Sequence, residues 1–254
     1  MSIFLSELRS PQVKQAAEAG AVVVLPVGQI EEHGSHLPIH TDLFIARRAA
    51  EESVRKLQGA PLAYVLEPIA YGFSQKVLKK WAGTFTLPYE TVIDTAKHIM
   101  ICLADMGFRK IVLLSTHGNH PGILRVAMRA VADERGIGPA LFNPAGACGD
   151  VMREHGRAGP LGSCHAGEYE TSLMLHLAPE QVDMSLAVGD DKLAGRPPYP
   201  SSQAFVSTWS LQESQSGAYG DPTVATPELG KKLFDRMTDA TAEFIRTYHA
   251  LKQI

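Results

Sequence analysis

The run Ala21-Val22-Val23-Val24-Leu25-Pro26-Val27-Gly28-Gln29-Ile30-Glu31-Glu32-His33-Gly34-Ser35-His36-Leu37-Pro38-Ile39-His40-Thr41-Asp42 decides how this chain is read. Its opening, Ala21 to Val27, is apolar without alternation, the pattern of a strand buried on both faces. The polar stretch behind it carries Glu31, Glu32, His33, His36 and Asp42. Side chains alternate along extended chain, so Glu31 and His33 are expected on one side and Glu32 on the other. A Glu and a His converging at a strand end, with an Asp close behind, make half of a metal site. Imidazole and carboxylate together suit zinc, manganese or iron rather than calcium. A solvated polar loop is the plainer alternative, but the density of ligand types argues for function.

Working outward, apolar runs alternate with helical patterns. Strands are expected at 21–27, 63–69, 110–115 and 139–143. Helices are expected at 11–19, 43–57, 89–106, 120–135, 167–177 and 227–251. This alternation predicts a layered α/β/α fold with a mostly parallel central sheet, its strands covered on both faces. The 254 residues suffice for one such domain with a sizeable core. Residues 188–226 depart from the pattern. They are rich in Gly, Pro, Ser and Gln around Arg196-Pro197-Pro198-Tyr199-Pro200. A loop of that length is expected to serve function or assembly.

Composition excludes several classes. A net charge of -3 gives no electrostatic footprint for nucleic acid. No apolar stretch has the length of a membrane span. The opening Met1-Ser2-Ile3-Phe4-Leu5-Ser6-Glu7 lacks the basic start and long apolar core of a signal peptide. The three cysteines, Cys102, Cys148 and Cys164, show no CxxC spacing and fit a reducing cytosol. A cytoplasmic protein is the expectation. Cys102 falls in an apolar helical pattern and is expected in the core, and Cys164 as a small buried filler.

Two further clusters follow predicted strands or open helices. After Ile111-Val112-Leu113-Leu114 comes Ser115-Thr116-His117-Gly118-Asn119-His120-Pro121-Gly122. Open α/β sheets place their ligands at such strand ends. The other is Cys164-His165-Ala166-Gly167-Glu168-Tyr169-Glu170-Thr171-Ser172. Carboxylates in a first helical turn complement the helix dipole, and one of Glu168 and Glu170 is expected to do only that. Yet His165 and Glu168 stand three apart and share a helix face. The inventory is then Glu31, His33, Asp42, His117 and Glu168, with His165, His36 and His120 alongside. It suffices for two divalent metal ions bridged by a carboxylate, which acidify water and polarise a carbonyl. His165 is left to move protons. Nucleophile alternatives are poorer, since there is no GxSxG elbow, no GxGxxG and no P-loop.

These motifs resemble the creatininase (creatinine amidohydrolase) family. The resemblance rests on Leu25 to Asp42, on Ser115-Thr116-His117-Gly118-Asn119 and on His165 to Ser172, in that order. Weaker echoes are Tyr71-Gly72-Phe73-Ser74, Gly83-Thr84 and Gly220-Asp221-Pro222-Thr223. It implies a two-metal hydrolase, commonly assembled as a hexamer from a trimer of dimers, so a homo-oligomer is expected. By motif position Glu31 and His117 serve one metal, His33 the other, Asp42 bridges, and His165 handles protons.

The chain departs from the family pattern in two places. Creatininase has a ligating Glu two residues after its second-motif His; here that position is Asn119. Glu168 is expected to supply the missing carboxylate, with Glu170 the runner-up. Creatininase also carries a substrate-covering Trp shortly before its catalytic His. Here Pro160-Leu161-Gly162-Ser163 stand there, which weakens the case for creatinine as substrate.

The expected chemistry is attack of metal-bound hydroxide on a carbonyl of a small cyclic substrate, in an amidohydrolase of the creatininase type. Alternatives are a ring-opening C–C hydrolase of a cyclic diketone or dehydro-inosose, and a metal-binding member without turnover. His165 and Glu168 are the expected catalytic residues. Tyr71, Ser74, Gln75, Trp81, Asn119 and the 196–219 loop are the expected substrate contacts. Lys76, Lys79 and Lys80 would favour a substrate with a carboxylate or several hydroxyls. His36 is expected to orient a ligand or the loop from behind.

Overall fold

A computed structural model describes residues 2–159, 164–190 and 214–252. Its centre is a four-stranded sheet in the order β2-β1-β3-β4, all parallel. The strands are β1 (Val22–Val27), β2 (Ala63–Val65), β3 (Lys110–Ser115) and β4 (Ala140–Phe142). Around them lie α1 (Ser10–Glu18), α2 (Thr41–Lys56), α3 (Tyr89–Asp105), α4 (His120–Arg135), α5 (Gly149–His155), α6 (Glu168–Leu177) and α7 (Pro227–Ala250).

Strand alternation sorts the core into two halves. Val22 and Val24 of β1, with Val112 and Leu114 of β3, pack against Ile45, Ala46 and Ala49 of α2, Leu173 of α6 and Leu233 and Ile245 of α7. Val23, Leu25 and Val27, with Ile111 and Leu113, pack against Ala96 and Met100 of α3 and Leu124, Ala127 and Val131 of α4. The continuous apolar runs in β1 and β3 therefore serve two hydrophobic layers at once, as the α/β/α expectation required.

Helix ends follow local chemistry. Thr226 caps α7 by accepting from the Leu229 amide, with Pro227 in the first turn. Gly136 ends α4 in the left-handed conformation. At Gly230 a Cβ would fall 1.8 Å from the Ser172 carbonyl oxygen, so α7 rests directly on the backbone of α6.

Some boundaries differ from expectation. Strand β2 ends at Val65 rather than residue 69; beyond Pro68, which lacks the N–H that a ladder needs, Ile69 pairs with Val27 only as an isolated bridge. Helix α5 was not anticipated; none of its residues is buried, so its sequence shows no apolar stripe. Cys102 is exposed, not core. It lies in α3, whose buried positions are Val92, Ala96, Met100, Ile101, Leu103 and Ala104. Cys148 is buried and Cys164 half-buried. The expected Pro-rich centre of the 188–226 loop lies outside the described residues.

The strand order reverses direction between β1 and β3, where an open parallel sheet leaves a crevice beyond its strand ends. The two strands run in register to Val27 opposite Ser115, so the segments that follow them emerge side by side.

Candidate metal centre

Three segments converge on that crevice: the loop after β1 with the first turn of α2, the turn after β3, and the entrance to α6. They carry Glu31, His33 and Asp42; His117; and His165 and Glu170. Donor atoms of Glu31, Asp42 and His117 lie close enough together to share one cation, as do those of His33, Asp42 and Glu170. Asp42 belongs to both groups. A third overlapping group joins Glu31, His33 and His165.

The hydrogen bonds of each imidazole show which nitrogen is left for a ligand. A carbonyl can only accept, so His33 Nδ1 donates to the Glu31 carbonyl at 3.1 Å. Its Nε2 then presents a lone pair toward Asp42 Oδ1 at 3.8 Å and Glu170 Oε2 at 3.7 Å. By the same rule His117 Nε2 donates to the Phe73 carbonyl at 3.1 Å. Its Nδ1 faces Asp42 Oδ2 at 2.8 Å and Glu31 Oε1 at 3.3 Å. Apart from that approach by His117, Asp42 Oδ2 has no hydrogen-bond partner. Neither do Glu31 Oε1 and His33 Nε2, although all three atoms are buried. Buried polar atoms left unpaired are costly and call for a partner. Three of them on residues whose donor atoms cluster, with an oxygen and nitrogen donor set, fit divalent cations such as zinc or manganese.

Electrostatics agree with that fit. Burial lifts Glu31 and Glu170 above the ordinary carboxylate range, against the pull of neighbouring histidines. Burial also pushes His33 down, which keeps it neutral and able to ligate. Burial opposes charge on His117 as well, but Glu31 and Asp42 outweigh it and push His117 up to about 9. Burial favours protonated Asp42, yet His117 and His33 hold it below its usual range.

A pH dependence follows. A cation can take His117 Nδ1 only after the proton leaves. Metal affinity should therefore rise with pH up to about 9, falling about tenfold per unit below that for each proton displaced. In the metal-free protein the sign is opposite: protonated His117 stabilises fully below its ordinary value of 6.5, and this is lost as pH rises through about 9. The gap in melting temperature between metal-loaded and chelator-treated protein should widen from pH 6 to pH 9. A constant gap would contradict it.

His165 sits beside the donors. Its Nδ1 is 3.4 Å from Glu31 Oε1 and its Nε2 3.3 Å from Glu32 Oε1, and its ring centre is 4.4 Å from that of His33. Burial disfavours its charge, but Glu32, Glu31 and Glu170 push it up to about 10. Glu32, expected on the far side of the chain from Glu31 and His33, thus still reaches the margin of the site. Its Oε2 accepts from the Gly34 amide at 3.0 Å. Nothing in the strand alternation pointed to that pairing, because residues 28–33 do not form a strand.

Of the two acidic residues of α6, the structure places Glu170, the runner-up, rather than Glu168 among the donor groups. Glu170 Oε2 accepts from the Ala166 amide at 2.6 Å and faces His33. Ala166 is held at φ +52, a left-handed conformation that is strained for a non-glycine residue. Glu168 instead turns away: its carboxylate accepts from the backbone amides of Arg157 and Ala158 at 2.8–2.9 Å. It therefore binds α6 to the 157–158 segment and is absent from the donor groups.

Among the expected substrate contacts, Ser74 is buried and donates to Glu31 Oε2 at 2.5 Å, so it backs a donor rather than lining an open surface. Asn119 precedes α4, 3.3 Å from His117 Nε2 and from the Gln75 amide. Tyr71 is exposed and packs edge-on against Phe85. Trp81 is half-buried at the end of the turn Lys76–Lys80. His36 lies behind the centre, bonded to Thr171 of α6 at 2.9 Å. His120 is fully buried, pushed down to about 3 by burial, and braces His117 with ring centres 4.6 Å apart. Of the 196–219 loop, residues 196–213 lie outside the described residues. Tyr219 is buried, and its amide donates to the His165 carbonyl at 2.9 Å.

Among the described residues, no helix is long and apolar enough to cross a membrane. The sequence model of the creatininase (creatinine amidohydrolase) family matches residues 6–245. The chain is 30% identical over 247 residues to the mycofactocin precursor peptide peptidase of Mycobacterium ulcerans, covering 92% of this chain and 88% of that one. It is 29% identical over 265 residues to the creatinine amidohydrolase of Pseudomonas putida, covering 96% of each. It is 29% identical over 191 residues to the 3-dehydro-scyllo-inosose hydrolase of Thermotoga maritima, covering 73% of this chain and 60% of that one. A solved structure described as creatininase with Mn superimposes with a TM-score of 0.85 at 25% identity, over 99% of this chain and 100% of that one.

Proposed function

This chain belongs to the creatininase family of metal-dependent hydrolases, and from that premise we propose that it hydrolyses an amide C–N bond at a centre of two divalent cations. Glu31, Asp42 and His117 would hold one cation; His33, Asp42 and Glu170 would hold the other. The observation that carries the reading is the set of unpaired buried atoms, Glu31 Oε1, Asp42 Oδ2 and His33 Nε2, on residues whose donor atoms cluster into these two groups. When bound, the cations lower the pKa of a water and polarise a carbonyl.

The chain's own groups supply the rest. An amide nitrogen is too basic to leave without a proton, so cleavage needs an acid beside it. His165 is that acid: two carboxylates, Glu31 and Glu32, flank its ring and keep it protonated. Glu32 holds the imidazole by Nε2, and the Tyr219 amide anchors its backbone. The peptidase and amidohydrolase relatives support the amide reading.

The test is His165→Ala. Its kcat should fall about 10²- to 10⁴-fold, the usual contribution of a general acid, with metal content unchanged. Equal loss of metal would instead make His165 a ligand, as its grouping with Glu31 and His33 permits. Wild-type protein should hydrolyse members of a panel of short peptides, lactams and formamides. Turnover confined to cyclic ketones would replace the amide reading with ring-opening C–C hydrolysis.

A further inference from the structure

We propose that Gln29 is a positioning residue that acts through Ser74 to commit one oxygen of Glu31 to hydrogen bonding and leave the other for a cation. The inference rests on Glu31 being a metal ligand. Its argument is the direction of each hydrogen bond, which backbone groups fix from outside.

The Gly72 amide can only donate, and it donates to Gln29 Oε1 at 2.7 Å. The Phe85 carbonyl can only accept, and it accepts from Gln29 Nε2 at 3.0 Å. These two bonds set the orientation of the Gln29 side-chain amide without ambiguity. The second hydrogen of Nε2 then goes to Ser74 Oγ. A hydroxyl has one hydrogen, and Ser74 gives it to Glu31 Oε2. Oε2 is therefore engaged as an acceptor, which leaves Oε1. That oxygen has no hydrogen-bond partner and faces His117 and His165. Oε1 is thus a single-oxygen donor already aimed.

The chain around this relay is held from several sides. Gln29 is fully buried and Ser74 nearly so. The Ser74 amide donates to Thr86 Oγ1 at 2.9 Å, and the Phe85 amide donates to the Ile30 carbonyl at 3.0 Å. Segments 72–74 and 84–86 thus lock the relay to the ligand-bearing loop. Outer hydrogen bonds of this kind tune metal affinity about 10- to 100-fold.

The experiment is a competition titration of manganese and of zinc against a chromogenic chelator, on the full chain stripped of metal. Ser74→Ala should weaken the Glu31-dependent binding step about 10- to 100-fold. Gln29→Met, which keeps the side chain's shape, should weaken the same step, and the double variant should be no weaker than Ser74→Ala alone. Ser74→Thr, which keeps the hydroxyl, should restore much of the loss. A purely structural role would lower the melting temperature of the metal-free protein while leaving affinity unchanged. Additive losses in the double variant, or a Ser74→Ala affinity within about twofold of wild type, would overturn the proposal. Glu31→Gln serves as the reference. If it loses a metal while Ser74→Ala loses nothing, the relay fails alone; if it keeps full metal content, the ligand reading falls and takes the relay with it.

Discussion

Asp42→Asn should empty both metal positions at once and reduce kcat/KM by at least about 10²- to 10³-fold, the order expected for removing one group that stabilises transition-state charge. Asp42 is shared by the Glu31–Asp42–His117 group and the His33–Asp42–Glu170 group. Its two oxygens face different imidazoles, Oδ2 toward His117 Nδ1 at 2.8 Å and Oδ1 toward His33 Nε2 at 3.8 Å. Asparagine keeps the volume but replaces one oxygen with an NH2 group. That group has no lone pair for a cation, and its hydrogens would occupy the imidazole lone pair opposite. Each position then also loses its shared negative charge. The fold should survive, because the Asp42 contact that ties α2 to the β3 turn is a backbone one: its carbonyl accepts from Thr116 Oγ1 at 3.1 Å. Elemental analysis after loading, beside a circular dichroism melt, checks this. A folded Asp42→Asn protein with wild-type metal content would rule out the shared-ligand assignment.

The fold was legible because its determinants are local. Continuous apolar runs fixed β1 and β3, and helical periodicity fixed α2, α3, α4 and α7 to within a few residues. Elements without an apolar stripe, such as α5, left no such trace. Cys102 shows the limit of periodicity, since an apolar residue on an amphipathic helix can lie on either face. In the site, the residue types and their strand-end positions pointed to Glu31, His33, Asp42, His117 and Glu168, with His165 alongside; the structure brings donor atoms of Glu31, His33, Asp42, His117 and His165 together but not those of Glu168. What the sequence withheld was direction. Whether Glu32 meets His165, or Ser74 meets Glu31, depends on how segments distant in sequence lie against each other. No pattern within one segment carries that information.

Glu168 and Glu170 give the sharpest case, and their glutamine variants should separate cleanly. Both stand in the first turn of α6, so charge and dipole arguments treat them alike. Their backbone surroundings do not. The strained turn at Ala166 aims its amide at Glu170 Oε2, which holds that carboxylate beside His33. Glu170→Gln should therefore lose the cation shared with His33 and most of the activity, while His117 and Glu31 retain theirs. The carboxylate of Glu168 is already satisfied by the Arg157 and Ala158 amides and is buried. Glu168→Gln keeps one acceptor oxygen but sets an NH2 against a donor N–H. It should cost about 1–3 kcal/mol of stability, the range for a buried polar group left unpaired, at unchanged metal content. Metal loss measured against melting temperature in the two variants thus discriminates ligand from brace. If Glu168→Gln loses metal and Glu170→Gln does not, the carboxylate that offsets Asn119 is Glu168, and the donor set around His33 must be redrawn.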